Sequence, residues 1–206
     1  MRVLGEIPAP GPTALPAGTL RRCDQKAFGR VLEELDGTRT VLVTGDRARK
    51  RTAAVGLAAA AAAAGTRTAL IECDLAEPTL AEALGLATVP GLREHLRGET
   101  DPSRILKPVA LAGPGSAAAL EPLVCVVAGR PTSEAKALLE SEPFSLATTR
   151  LREAYELVVV EGPPAPGGDG SLEAVAAHAD ATLVCVGRPD DVPALPVPVT
   201  GLVVQG

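Results

Sequence analysis

Aromatic side chains are almost missing from this chain: its 206 residues include Phe28, Phe144 and Tyr155 and no tryptophan. The interior must therefore be built from Ala, Val and Leu, and a hydrophobic content of 46 % is enough to fill it. The same scarcity, with a formal net charge of −5, argues against a nucleic-acid surface, which needs a basic face and stacking rings. Arg21-Arg22 and the cluster from Arg47 to Arg51 are too small to supply one. Paired cysteine spacing is also lacking. Cys73, Cys125 and Cys185 lie in or beside apolar runs and read as small buried hydrophobes, and Cys23 stands alone. That usage fits a reducing cytosol rather than a disulfide framework. Histidine is scarce too. His178 falls late in an expected helix, as a cationic cap, and His95 lies among Arg93, Glu94 and Arg97 as a surface residue. No Ser-His-Asp set, Cys-His pair or zinc cluster is visible. The longest apolar run, Ala53 to Ala64, is too weakly apolar to cross a bilayer, so no direct membrane insertion of this chain is expected. Pro8, Pro10 and Pro12 stand where a signal peptide would need an apolar stretch.

What is present is an alternation of short apolar runs with helical spacing. Residues 1–20 read as an extended, Pro-rich, linker-like segment, and residues 21–206 as one domain. Helices are expected at Asp24–Leu35 (capped by Asp24), Thr52–Ala64, Thr79–Leu84, Leu92–Leu96, Ser133–Ser141, Leu146–Ala154 and Leu172–His178. Strands are expected at Thr40–Thr44, Thr68–Cys73, Leu123–Val127, Leu157–Val160, Ala181–Val186 and Val199–Val204. The Ala/Gly/Pro-rich stretch from Lys107 to Pro122 reads as a surface loop. Continuous apolar strands alternating with helices predict an α/β fold, a mostly parallel sheet covered on both faces. Pro189, Pro193, Pro196 and Pro198 leave no room for a helix before the last strand, so the final crossover looks trimmed.

The chain is organised around Val41–Pro78: strand, basic turn, Ala-rich helix, strand, acidic pair. Ligands of open parallel sheets bind at the carboxyl ends of the strands, where this turn falls. The phosphate-loop pattern G-x4-G-K-[ST] is met only by Gly45 and Thr52; Lys50 stands at its second Gly and Arg51 at its Lys. A shift by one residue puts Lys50 in the Lys role, and the spacing leaves the register open. Gly45, Asp46, Arg47, Ala48, Arg49, Lys50, Arg51 and Thr52 are therefore the candidate phosphate-binding residues, the alternative being a basic strand-to-helix loop with no ligand. Glu72 and Asp74 end the second strand on one side of it, and Glu161 ends the run Val158–Val160. Such carboxylates could position a magnesium ion or prime an attacking hydroxyl.

In order along the chain, these segments resemble the bacterial tyrosine kinases of capsule and exopolysaccharide assembly, within the MinD/ParA group of P-loop ATPases. Val3–Pro8 resembles that family's LG-x-IP entry, and Lys26-Ala27-Phe28 the start of its EAFR-x-LR helix. Ile71–Pro78 resembles IDADLRRP, Gly91–Gly98 resembles GLSDVLRG, and Gly129-Arg130-Pro131 with Leu138–Ser141 resembles G-x-PPNP-x-ELLxS. Tyr155–Pro164 resembles YDxVIIDTPP, and Gly201–Gln205 the closing GVVLN.

The resemblance implies a three-layer P-loop fold and an ATP or ADP site with Mg2+. It places phosphates on the Gly45–Thr52 loop, magnesium near Thr52, Glu72, Asp74 and Glu161, and adenine near Gln205. It implies Arg51, Lys50, Glu72 and Asp74 as catalytic groups if the chain is active. Several departures accompany it. Both key Asp positions are Glu (Glu72, Glu161), and the oligomerisation pattern of one Glu and two Arg falls on Lys26, Gly29 and Leu32, so a ring oligomer is not expected. No tyrosine cluster ends the chain. The resulting expectation is a pseudo-kinase regulator with weak or no ATP turnover. It would sit in the cytoplasm at the inner membrane face, held by a membrane-anchored copolymerase, a kinase partner or a missing segment. An active protein tyrosine kinase with unusual site residues and a ParA/MinD-like positioning ATPase are the alternatives.

Overall fold

The computed structural model describes residues 2–7, 19–21, 25–112, 123–166 and 169–205. Val41–Val43, Leu70–Ile71 and Val158–Val160 are β-branched or aliphatic throughout, and all are buried on both faces. They form the centre of a sheet made of β1 (Val3–Ile7), β2 (Thr19–Arg21), β3 (Thr40–Gly45), β4 (Thr68–Glu72), β5 (Lys107–Ala112), β6 (Leu123–Val126), β7 (Leu157–Glu161), β8 (Ala181–Val186) and β9 (Gly201–Gln205). The order across the sheet is β1-β9-β8-β3-β7-β4-β6-β5-β2, and only β5 against β6 is antiparallel.

Strand alternation sorts the core into two layers. Val41, Val43, Leu70 and Val159 face α1 (Gln25–Glu33), α2 (Arg47–Ala63) and α3 (Leu80–Leu84). Leu42, Ile71, Val158 and Val160 face α4 (Leu92–Leu96), α5 (Pro102–Ile105), α6 (Ala135–Leu139), α7 (Glu142–Ala154) and α8 (Ser171–Ala176). Helices on both faces of a mostly parallel sheet make the expected three layers. Alanine lets α2 lie close to the sheet: Ala53, Ala54, Ala58 and Ala59 are fully buried. Phe28 of α1 fills the notch left by Gly56, where an added Cβ would collide with its ring.

Several sequence expectations need correction. Val3–Ile7, read as part of a linker, is an edge strand parallel to β9. Lys107–Ala112, read as loop, is strand β5; Pro108 is tolerated there at its second position near the sheet margin. The helix expected from Thr52 begins at Arg47. His178 is not a helix cap. It lies beyond α8 with its ring edge-on to Phe144 at 5.1 Å, and burial pushes its pKa down, favouring the neutral form. His95 is half-buried, with Nδ1 3.2 Å from the Thr100 carbonyl. The stretch from Gly187 to Thr200 carries no helix, as its prolines require. Cys23 and the cap expected at Asp24 lie outside the described residues.

Candidate functional site

Carboxyl ends of β3, β4 and β7 converge beside the start of α2. Gly45 ends β3 at φ +126, with the Cys185 backbone packed where a Cβ would go, so only glycine fits. Asp46 then caps α2, its Oδ1 accepting from the Arg49 N–H at 3.2 Å. The chain has thus turned into a helix within one residue of the strand. The Lys50 N–H donates to the Asp46 carbonyl at 2.8 Å in the helical pattern. Arg47 through Thr52 are a first helical turn and a half, not a loop of convergent N–H groups. The first turn carries a carboxylate cap in place of an anion.

The basic side chains of this turn meet the protein's own acids. Arg47 pairs with Glu77. The Arg49 guanidinium is 3.5 Å from Asp46. Lys50 is fully buried, and its Nζ donates to Asp74 Oδ2 at 3.2 Å and Glu161 Oε1 at 3.0 Å. Arg51 is half-buried and close enough to Glu161 to stabilise its charge. The Thr52 hydroxyl donates back to the Ala48 carbonyl at 2.9 Å, a bond within its own helix.

The acidic residues divide their duties. Glu72 Oε1 accepts from the N–H groups of Thr79 (2.6 Å) and Leu80 (2.7 Å), and Oε2 accepts from that of Ala128 (2.9 Å). It therefore ties the loop before α3 to the end of β6. Burial pushes its pKa up, while the three N–H groups and Lys50 pull it back. Asp74 Oδ1 accepts from the Glu77 N–H at 3.2 Å, leaving Oδ2 for Lys50. Burial raises Glu161 to about 7, against the pull of Lys50 and with a push from Glu72, its neighbour across the β4–β7 ladder. Glu72 and Asp74, expected to act as a pair, point to different partners. Gln205 is buried at the end of β9, paired in register with Ile7.

Magnesium needs near-ideal octahedral oxygen ligands. Of the four groups implied for it, Glu72 is occupied by backbone N–H groups, Thr52 by its own helix, and Asp74 and Glu161 by an ammonium. Among the described residues, no three His, Cys, Asp or Glu side chains gather as a metal site requires. The donor set as arranged does not fit the ion.

A cleft of about 410 Å3 opens beside these groups, lined in part by Arg47, Asp74, Glu77, Pro163, Asp169 and Ser171. Three carboxylates against one guanidinium make it unfavourable for a polyphosphate. Asp169 is held by the Ser171 N–H (2.9 Å) and hydroxyl (2.7 Å), which keep its pKa low.

Two features of the site escaped the sequence reading. By spacing Asp46 reads as part of the phosphate loop, although an Asp ahead of Arg-Ala-Arg-Lys is a helix-start signal. Glu94 caps α4 by accepting from the Gly91 N–H at 2.9 Å and reaches the Arg130 N–H at 3.3 Å. That contact accounts for the Gly91–Gly98 and Gly129–Pro131 segments as one structural joint, with Gly129 at φ +94 against the Glu94 carboxylate.

No protein-family model matches the sequence, and no curated protein does. Solved structures do match. The kinase domain of the Escherichia coli tyrosine kinase ETK superposes with a TM-score of 0.78 at 15 % identity, over 99 % of this chain and 89 % of that one. The chimerical protein CapA2B2 gives 0.77 at 17 % identity, over 98 % and 93 %. The septum site-determining protein MinD from Pyrococcus horikoshii, complexed with Mg-ADP, gives 0.56 at 16 % identity, over 71 % and 56 %.

Proposed function

We propose that this chain, which has the fold of the bacterial tyrosine-kinase domains and of MinD-like P-loop ATPases, is a pseudo-kinase member of the tyrosine-kinase family. It serves capsule or exopolysaccharide assembly or export as a regulator that binds a partner, with weak or no ATP turnover. The partner is a membrane-anchored copolymerase or a kinase, met at the cytoplasmic face of the membrane; among the described residues no helix is long and apolar enough to cross one. The observation that carries the reading is the state of residues 45–52. A helix has consumed the stretch that should wrap phosphates, and Arg47, Arg49 and Lys50 neutralise carboxylates of the chain itself.

An active kinase would need Lys50 or Arg51 on phosphates and Thr52, Glu72, Asp74 and Glu161 around magnesium, with adenine against Gln205. Each Lys50 and Glu72 contact would first have to be broken in a buried setting. Breaking one partner out of a buried charge pair costs about 3–5 kcal/mol. Calorimetric titration of the protein with Mg-ATP and Mg-ADP, with phosphate release followed in parallel, tests the reading. No heat of binding and no release are expected. Micromolar binding together with phosphate release overturns it.

A further inference from the structure

Lys50, which one of the two registers puts in the phosphate-binding role, turns instead to carboxylates of its own chain. Its ammonium is sealed from solvent between Asp74 Oδ2 and Glu161 Oε1, at 3.2 and 3.0 Å. These oxygens come from the loop after β4 and from the last residue of β7, and the lysine comes from the first turns of α2. The other oxygen of Glu161, Oε2, has no hydrogen-bond partner, and Glu161 is 0 % exposed. A buried, unpartnered carboxylate oxygen beside a shared ammonium leaves acceptor capacity in the pocket that the ammonium does not use.

We propose that the Lys50 ammonium is a built-in cation: it permanently holds the position in which Asp74 and Glu161 would together bind a divalent ion. It thereby ties β4 and β7 to α2 with no metal or nucleotide. The inference rests on the pseudo-kinase reading and deepens it, because the site is not merely worn but filled from within. Glu72 has no share in this latent site, since its oxygens serve Thr79, Leu80 and Ala128. The latent site has two carboxylates, and water would complete the shell of a hard cation.

Removing the lysine should unmask it. Mn2+ is the probe, because it takes the same oxygen ligands and its free ion gives a spin-resonance signal. Wild type should leave that signal as in buffer. Lys50→Ala should take up one Mn2+ per chain, at least about tenfold more tightly than wild type, and its melting temperature should rise when Mn2+ is added. The double variant Lys50→Ala/Asp74→Asn should lose both effects. Folded Lys50→Ala that leaves Mn2+ free, or wild type that takes it up equally well, overturns the proposal.

If Lys50→Ala fails to fold with and without Mn2+, nitrogen-15 NMR of lysine ammonium groups in wild type decides. One slowly exchanging signal should persist in excess Mg2+ and move in Glu161→Gln; its absence, or its loss on adding Mg2+, overturns the proposal. Failure of the two readings is distinguishable. Mg-ATP binding and turnover by wild type would end the pseudo-kinase reading alone. Absent Mn2+ uptake by folded Lys50→Ala, with wild type still inert to ATP, would end the built-in cation alone.

Discussion

Restoring the residue that the family resemblance expects at position 72 should damage the protein. Glu72→Asp shortens the side chain by one carbon–carbon bond, about 1.5 Å. Glu72 at present spans a gap: Oε1 holds Thr79 and Leu80 at 2.6 and 2.7 Å, while Oε2 holds Ala128 at 2.9 Å on the other side. A carboxylate withdrawn by about 1.5 Å cannot stay within 3 Å or so of both segments. At least one N–H, Ala128 or Leu80, is then buried without an acceptor, at about 1–3 kcal/mol for each such group. With the charge assistance of the remaining bonds weakened, a total near 3 kcal/mol follows, or roughly 6–12 °C in melting temperature for a chain of this size. Urea titration followed by far-ultraviolet circular dichroism at pH 8 measures it. Glu72→Gln is the companion variant: it keeps the reach but sets an NH2 group against one N–H, so it should cost about 2 kcal/mol. If Glu72→Asp is as stable as wild type within about 0.5 kcal/mol, Glu72 is not a structural tie, and its reading as a free acidic group at a strand end returns.

Three further outcomes are expected. Glu161 is raised to about 7 from an ordinary 4.5, so between those values the folded state keeps a proton that the unfolded chain has lost. Stability from this group therefore falls as pH rises through that window, by up to about 3 kcal/mol, and the slope should be missing from Glu161→Gln; an unchanged slope refutes the assignment. Asp180 acts in the opposite sense. Burial alone would raise its pKa, but the Thr40 and Arg39 N–H groups and Arg152 hold it low, so its support is lost as pH falls, and Asp180→Asn should flatten the acid limb of the same curve. Gly56→Ala, which in an exposed helix would add stability, should here cost about 1–3 kcal/mol through overpacking on Phe28, and a Phe28→Leu background should relieve it by making room for the new methyl.

Strong, continuous runs made much of the fold readable from sequence. β3, β4, β6, β7, β8 and β9 are Val- and Leu-rich and bounded by Gly, Pro or charge, and each falls within a residue or two of its expected position. The strands that escaped, β1, β2 and β5, lie at or next to the sheet margins, and the four-residue helix α5 escaped with them. β1 holds only five residues, with Val3 and Gly5 partly exposed, and β5 begins Lys107-Pro108. Marginal strands need no apolar run on both faces and tolerate proline, so their sequences read as linker and loop. Pairing decides them: β1 exists because β9 offers it a free edge, and that is a tertiary fact.

The site was legible only in outline, and the reason lies in helical phase. Counted as offsets from Gly45, the motif allows two registers for Lys50 and Arg51. Carrying the helix back to its Asp46 cap removes the question. From Arg47 onward the 3.6-residue period applies, and Lys50 falls on the stripe of Ala53, Ala54, Leu57, Ala58 and Ala61, all buried against the sheet. Strand parity does the rest. Val159 faces α2, so Glu161 two residues on faces it too. A lysine on the buried face of a helix must find a counter-charge there, and Glu161 and Asp74 are the groups that parity and the turn after β4 deliver. Lys50, Asp74 and Glu161 thus form an electrostatic centre that is itself a piece of core. Glu, where the resemblance expects Asp, then has a physical sense of its own. At position 72 the longer arm reaches from α3 to β6, and at position 161 it reaches the ammonium on α2. In both places a long carboxylate arm joins neighbouring elements, so the two residues act together as one junction.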